Sequence, residues 1–165
     1  MSNINTFITA VNNSTGFLLG NRYQVTMSKL NGTNMSLFCS KVDLPSIDYA
    51  QVDLDIGGQL VHIPTKLSVG ELQLTLYNTG TELKTIHNYC DTNIYIKDTH
   101  SIGYYDDIAM DIQVLEFNNR NDLIISRQYA NCILKSISPI TLSYNEATEV
   151  QSFTIGFTCE SITVK

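Results

Sequence analysis

Apolar and polar residues alternate over long stretches of this chain, and the alternation breaks at glycine, proline and asparagine. From Arg22 to Ser28, Tyr23, Val25 and Met27 share one face, as in a half-buried strand whose successive side chains point to opposite sides. Asn31-Gly32 follows, and both residues tolerate the positive φ of a type I′ turn. It predicts a hairpin whose return strand is 35–43, with Met35, Leu37 and Cys39 on one face. Leu44-Pro45 ends that run. The eleven residues from Ser46 to Ile56 then alternate loosely until the chain reverses at Gly57-Gly58, with a return strand expected over Gln59–Ile63, ahead of Pro64. The span 46–60 reads as a hairpin arm far longer than the usual strand of about 5–6 residues.

Beyond the arm, Leu72, Leu74 and Leu76 alternate with Gln73, Thr75 and Tyr77. One helix is predicted over 79–92. Thr79-Gly80-Thr81-Glu82 has the spacing of a capping box, and Leu83, Ile86, His87 and Cys90 recur at i, i+3, i+4 and i+7 as an apolar stripe. That leaves Glu82, Lys84, Thr85 and Asn88 facing outwards. Two strands, at about 108–117 and 123–134, flank a polar turn at Asn118–Asp122. On the first, Met110, Ile112 and Val114 form an apolar face, so Asp111 and Gln113 point the other way; Ser126 and Gln128 are the matching polar set on the second. Phe153, Ile155, Phe157 and Cys159 mark the last strand. Seven or eight strands with hairpin connections and one helix predict a mostly antiparallel β-sandwich or barrel with a single flanking helix. It forms one domain over 1–165, and residues 1–20, polar and containing Gly16 and Gly20, read as an N-terminal arm.

Composition narrows the partners. Only 16% of the 165 residues are charged, against about 25% in ordinary soluble domains. Asn, Ser, Thr and Gln must cover the surface, as they do on surfaces that end up against neighbours. A net charge of −6 argues against docking on phosphate backbones or anionic membranes, which need a basic face. No apolar run approaches the ~18 residues of a membrane span, and Met1–Ala10 lacks the pattern of an export signal. No membrane partner is expected. Cys39, Cys90, Cys132 and Cys159 lie far apart without a C-x-x-C pair, so four reduced, buried thiols are expected.

Little in the chain is catalytic vocabulary. His87 sits on the helix stripe with Cys90 one turn on, too few residues for a metal site, and no carboxylate or thiol stands at ligand spacing from His62. Nucleophile-elbow, zinc-protease and phosphate-loop motifs are absent. Asp106-Asp107 reads as a solvated strand start, since adjacent strand residues point to opposite faces. Tyr104-Tyr105 reads as packing. No catalytic residue, metal or cofactor, and no enzyme, is expected.

The order of motifs carries more. F-C-S-K-V-D-L-P leads into the long arm ending in G-G; V-G-E-L-Q-L-T-L-Y-N leads into the helix. F-N-N-R-N-D-L joins the two long strands, followed by S-I-S-P-I-T-L-S-Y-N and a closing V-Q-S-F-T-I-G-F-T. Over roughly residues 20–160 this resembles the tail tube proteins of contractile-tailed bacteriophages, relatives of the Hcp tube proteins of type VI secretion. The resemblance implies hexameric rings stacked into a tube, with the helix on the outer side and four strands of each subunit lining the lumen. Leu44, Pro45, Ile47, Tyr49, Val52, Leu54, Ile56, Gly57 and Gly58 would then make the inter-ring contact. Glu82, Lys84, Thr85 and Asn88 would meet the tail sheath, and Asp111, Gln113, Ser126 and Gln128 would face the lumen as part of a phosphate-repelling, negative wall. The implied partners are further copies of the chain, sheath, baseplate, tail-terminator and tape-measure proteins, and DNA that passes during ejection without sequence-specific binding. The implied location is the virion tail, assembled in the host bacterial cytoplasm. A tube initiator or terminator and an Hcp-like secretion tube subunit share these features. A carbohydrate-binding β-sandwich module is the reading from another class, and it calls for exposed Trp, which the chain lacks.

Overall fold

The computed structural model describes residues 18–30, 35–140 and 150–165, together with Thr9. Its main sheet is built from β1 (Leu18–Met27), β2 (Cys39–Asp43), β5 (Glu71–Tyr77), β8 (Met110–Asn118), β9 (Leu123–Ile137), β10 (Ser152–Thr158) and β11 (Ser161–Val164). The strand order is β1-β8-β9-β10-β5-β2, with β11 also on β9, and every pairing is antiparallel. β9 is fifteen residues long. Its first part pairs with β8 and β11, and its last part, from Ile133, pairs with β10. One long strand thus serves two halves of the sheet, with Asn131 at φ 52° near the changeover.

The alternation read from the sequence sets the core. Val25 and Met27 of β1, Ile112 and Val114 of β8, Tyr129 of β9, Leu72, Leu74 and Leu76 of β5, and Phe153, Ile155 and Phe157 of β10 are buried together. Each such side chain taken out of water contributes about 1.5–3 kcal/mol. The expected mostly antiparallel β fold, with few helices, is the one observed.

Several local expectations need correcting. The 35–43 segment is a short helix α1 (Met35–Phe38) leading into β2, so only its last five residues are strand. The turn at Asn31-Gly32 lies outside the described residues, but the strands it was to join are paired elsewhere, β1 with β8 and β2 with β5. The Tyr23 hydroxyl of β1 donates to the Cys39 carbonyl of β2 at 3.1 Å.

The helix is α2 (Thr81–Tyr89), shorter than 79–92, and a π-helical turn, Cys90–Ile94, follows it. The capping box does not form. Gly80 at the N-cap has φ 82°, a conformation that favours glycine, and its N–H donates to Asn78 Oδ1 at 2.9 Å. Glu82 is consequently free of the cap and is turned inward. The buried stripe is Glu82, Ile86 and Tyr89, with Leu83 and Cys90 packed partly against the core, whereas His87 is exposed. The Tyr89 hydroxyl donates to the Ile108 carbonyl at 2.6 Å, which fixes the helix rotation.

Beyond α2, the small hairpin β6 (Tyr95–Ile96) and β7 (Ser101–Ile102) and the helical turn α3 (Tyr105–Ile108) lead into β8. Asp106 and Asp107 are exposed, as expected, but on this helical turn rather than at a strand start. Gly103 ties the hairpin down. Its N–H donates to the Ile94 carbonyl at 3.2 Å, and a Cβ there would stand 2.0 Å from the Asn93 carbonyl oxygen. Backbone cannot give way as a flexible side chain can. Gly103→Ala is expected to destabilise the domain by about 1–3 kcal/mol, the usual cost of overpacking. An unchanged melting temperature would contradict this.

Candidate assembly surfaces

The long hairpin stands apart from the main sheet. Among the described residues β3 (Ile47–Ile56) and β4 (Gln59–Val69) pair only with each other, and every residue of β3 is exposed. The sequence expectation holds for β3 but stopped β4 too early, at Pro64. The strand continues past the proline because the ladder skips a residue there: Ala50 pairs with Lys66 and Gln51 with Pro64, leaving Thr65 as the extra residue of a β-bulge. The Thr65 hydroxyl donates to the Ala50 carbonyl at 3.1 Å, beside a proline with no N–H to give. At the other end Gly57 and Gly58 take φ 63° and 86°, the two positive values of a type I′ turn. The Gly58 N–H donates to Asp55 Oδ1 at 2.9 Å. At ~3.3 Å per residue, the ten residues of β3 carry the turn roughly 33 Å from the body.

The arm is also apolar. Ile47, Tyr49, Val52, Leu54, Ile56, Leu60, Val61, Ile63 and Leu67 are all exposed. Leu44, just before its root, is exposed too, and Pro45 is half-buried. A two-stranded ribbon is marginally stable in water by itself, and contiguous exposed apolar surface marks an interaction site. His62 lies opposite Asp53 across the ribbon, its Nδ1 2.5 Å from the carboxylate. Sequence reasoning missed this pair, although counting outwards from Gly57-Gly58 would have found it.

A second surface is the outward face of the sheet half formed by β1, β8, β9 and β11. Thr26, Gln113, Gln128 and Thr163 are opposite one another in register and all exposed, making an uncharged row across four strands. Gln113 Nε2 donates to Ser126 Oγ at 3.0 Å, so three of the four polar positions read from the sequence are in or beside that row. Asp111 is exposed two residues along β8 from Gln113, and its carboxylate accepts the Asn131 N–H at 3.1 Å. The row itself has no carboxylate, and Asp111 is the acid beside it on the same face. Arg127 and Glu116, paired at 2.5 Å, belong to the opposite face with Val114 and Tyr23.

The third surface is the outside of α2. Lys84 and Asn88 are exposed and Thr85 is half-buried, its hydroxyl donating to the Thr81 carbonyl at 2.9 Å. Glu82 does not belong to this surface. Its side chain is buried, with Oε2 lacking a hydrogen-bond partner among the described residues.

The cysteines also differ from expectation. Cys132 of β9 and Cys159, between β10 and β11, form a disulfide. They meet because β10 and β11 run side by side with β9 and Cys159 falls at the break between them. Cys39 and Cys90 are free and partly buried. Burial pushes the Cys39 thiol up to about 11 and raises that of Cys90 as well, so both stay protonated and unreactive near neutral pH. Among the described residues no group of three or more His, Cys, Asp or Glu side chains is placed to hold a metal ion.

No protein-family model and no curated protein matches the chain. Solved structures do. A chain of the sheath–tube complex of PVC, an extracellular contractile injection system in its extended state, superposes with a TM-score of 0.69 at 12% identity, covering 95% of this chain and 96% of that one. A chain of the tube-terminating cap of the anti-feeding prophage gives 0.67 at 13% identity, covering 96% and 97%. A type six secretion system protein gives 0.52 at 8% identity, covering 86% and 81%. At these identities the likeness is one of fold, and the chain has the fold of tube and tube-terminator proteins of contractile injection systems, the group its sequence resembles.

Proposed function

We propose that this chain is a structural subunit of a phage or phage-like injection tube, and that six copies close into rings that stack into the tube. The observation that carries this reading is the arm: a ribbon with nine large exposed apolar side chains, standing off a body of tube-protein fold. Leu44, Pro45 and the 46–60 hairpin reach a copy in the adjacent ring. The free edges of β1 and β11, each paired on one side among the described residues, are closed by neighbours, which removes edges that invite aggregation. Sedimentation of the purified protein tests this. A ring of about six times 18.5 kDa, or larger stacks of it, is the expected species, and a monomer at all concentrations contradicts the reading.

The rest of the proposal follows the same geometry. The face bearing Asp111, Gln113, Ser126 and Gln128 lines the lumen, and Lys84, Thr85 and Asn88 meet a sheath. Baseplate, terminator and tape-measure proteins are the further partners, and the tube works as part of a virion tail assembled in a bacterial cytoplasm. An uncharged row of amides and hydroxyls offers phosphate no cation to bind, so DNA passes without sticking. Asp111→Lys adds one positive charge per subunit at the wall, and charges interact within ~8–10 Å at physiological salt. Assembly should continue while ejection slows; unchanged ejection would remove Asp111 from the lumen. A tube terminator is the second reading, favoured by the likeness to a tube-terminating cap over 96% of this chain.

A further inference from the structure

Each face of the arm is half apolar, and the apolar halves are opposite. Along β3, Ile47 and Tyr49 hold odd positions, whereas Val52, Leu54 and Ile56 hold even ones. Within one alternating strand the apolar set therefore changes sides between Ala50 and Gln51. On β4 the apolar residues Val61, Ile63, Leu67 and Val69 are all odd and would stay on one face of an unbroken strand. The bulge at Thr65 shifts β4 by one residue at the same level, so its apolar set changes sides too. Two independent features, a parity change in β3 and an inserted residue in β4, give one result. Ile47, Tyr49, Leu67 and Val69 line one face at the root; Val52, Leu54, Ile56, Val61 and Ile63 line the other face at the tip. Behind the root patch are Asp48, Lys66 and Ser68. Behind the tip patch are the Asp53–His62 pair and Asp55, with Leu60 beside the turn.

A ribbon of this kind laid flat on one surface buries one apolar patch and leaves the other in water. We propose that the arm is clamped from both sides, its root face against one further copy of this chain and the opposite face of its tip against another. This rests on the reading of the arm as an inter-subunit contact, and it adds that the contact needs two copies. Each copy supplies a seat for a tip. The cleft between the β1 and β2 edges, about 300 Å³, is lined by Val42, Leu44 and Val114 with Arg22 and Lys41 among them. The charged side chains of the lining are already engaged within the chain, Glu116 with Arg127, Lys41 with Asp43 at 2.7 Å, and Arg22 with Asn121 Oδ1 at 2.7 Å. The apolar lining suits Leu54 and its neighbours on the same face of the tip, Val52 and Ile56. A heterologous contact of this kind repeats from copy to copy and propagates an assembly.

The test uses a photoactivatable benzophenone side chain at Tyr49 or at Leu54 in the full-length protein. Copies labelled with nitrogen-14 and nitrogen-15 are mixed before assembly, and cross-linked peptides are identified by mass spectrometry. Both positions are expected to give mixed-isotope products at separate sites, with the Leu54 products falling in residues 20–23 or 39–44. Products from both positions at one shared site, or from only one position, overturn the clamp while leaving the arm an inter-subunit contact. Assembly with no product between copies from either position overturns the reading of the arm itself.

Discussion

Deleting Asp48–Gly58 and rejoining the ends should leave a folded domain that melts near the temperature of the intact chain and no longer forms stacks. Among the described residues the arm contributes none of the buried core, and its strands pair only with each other. At its base the Gly70 N–H donates to the Ser46 carbonyl at 2.9 Å, a contact that the deletion retains. The assembly, by contrast, loses Val52, Leu54 and Ile56 of the tip patch, together with the strand that pairs with Val61 and Ile63. Burying a single Val, Leu or Ile contributes about 1.5–3 kcal/mol, and each 1.4 kcal/mol is tenfold in an equilibrium constant. Removing several such side chains should weaken self-association by at least about 100-fold after allowing for the ordering that binding costs. Circular dichroism and sedimentation read the two halves of this result. Normal assembly by the deleted protein would show that the arm has another purpose, and an unfolded protein would show that it belongs to the domain's own stability.

The second large effect is expected at the disulfide. Cys132→Ser opens a bridge between residues 27 apart in sequence, and the chain-entropy account puts its contribution at about 3.5 kcal/mol for a loop of that size. In a domain of this length each kcal/mol is about 2–4 °C, so the melting temperature should fall by roughly 7–14 °C. Because burial keeps Cys39 and Cys90 protonated, thiol counting has to be done in denaturant. Two thiols should then titrate in the unreduced protein and four after reduction. Four thiols without reduction would mean that the bridge is not formed, and the variant should then cost little.

Much of the fold was legible because strand alternation is local. The faces of β1, β5, β8 and β10 follow from residues two apart in sequence, and the buried sets Val25/Met27, Leu72/Leu74/Leu76, Ile112/Val114 and Phe153/Ile155/Phe157 are the ones the pattern predicts. Features that depend on distant partners were not legible. The Cys132–Cys159 bridge arises from β9 spanning both halves of the sheet, which no spacing between cysteines encodes. The side of α2 that turns inward is settled by Tyr89 reaching the Ile108 carbonyl, so the stripe of Leu83, Ile86, His87 and Cys90 placed Glu82 outside when it lies within. The arm falls between the two. Its length and its Gly57-Gly58 turn were visible, but Pro64 hid the second half of β4, because a proline ordinarily ends a strand unless a bulge takes it.

The central claim is that this chain builds a tube from copies of itself, and electron microscopy of the purified full-length protein tests it most directly. The account predicts rings with an open centre that stack face to face, each bridged to the next by its arms. A field of dispersed single copies, at concentrations where the arm's apolar surface should be covered, would contradict it.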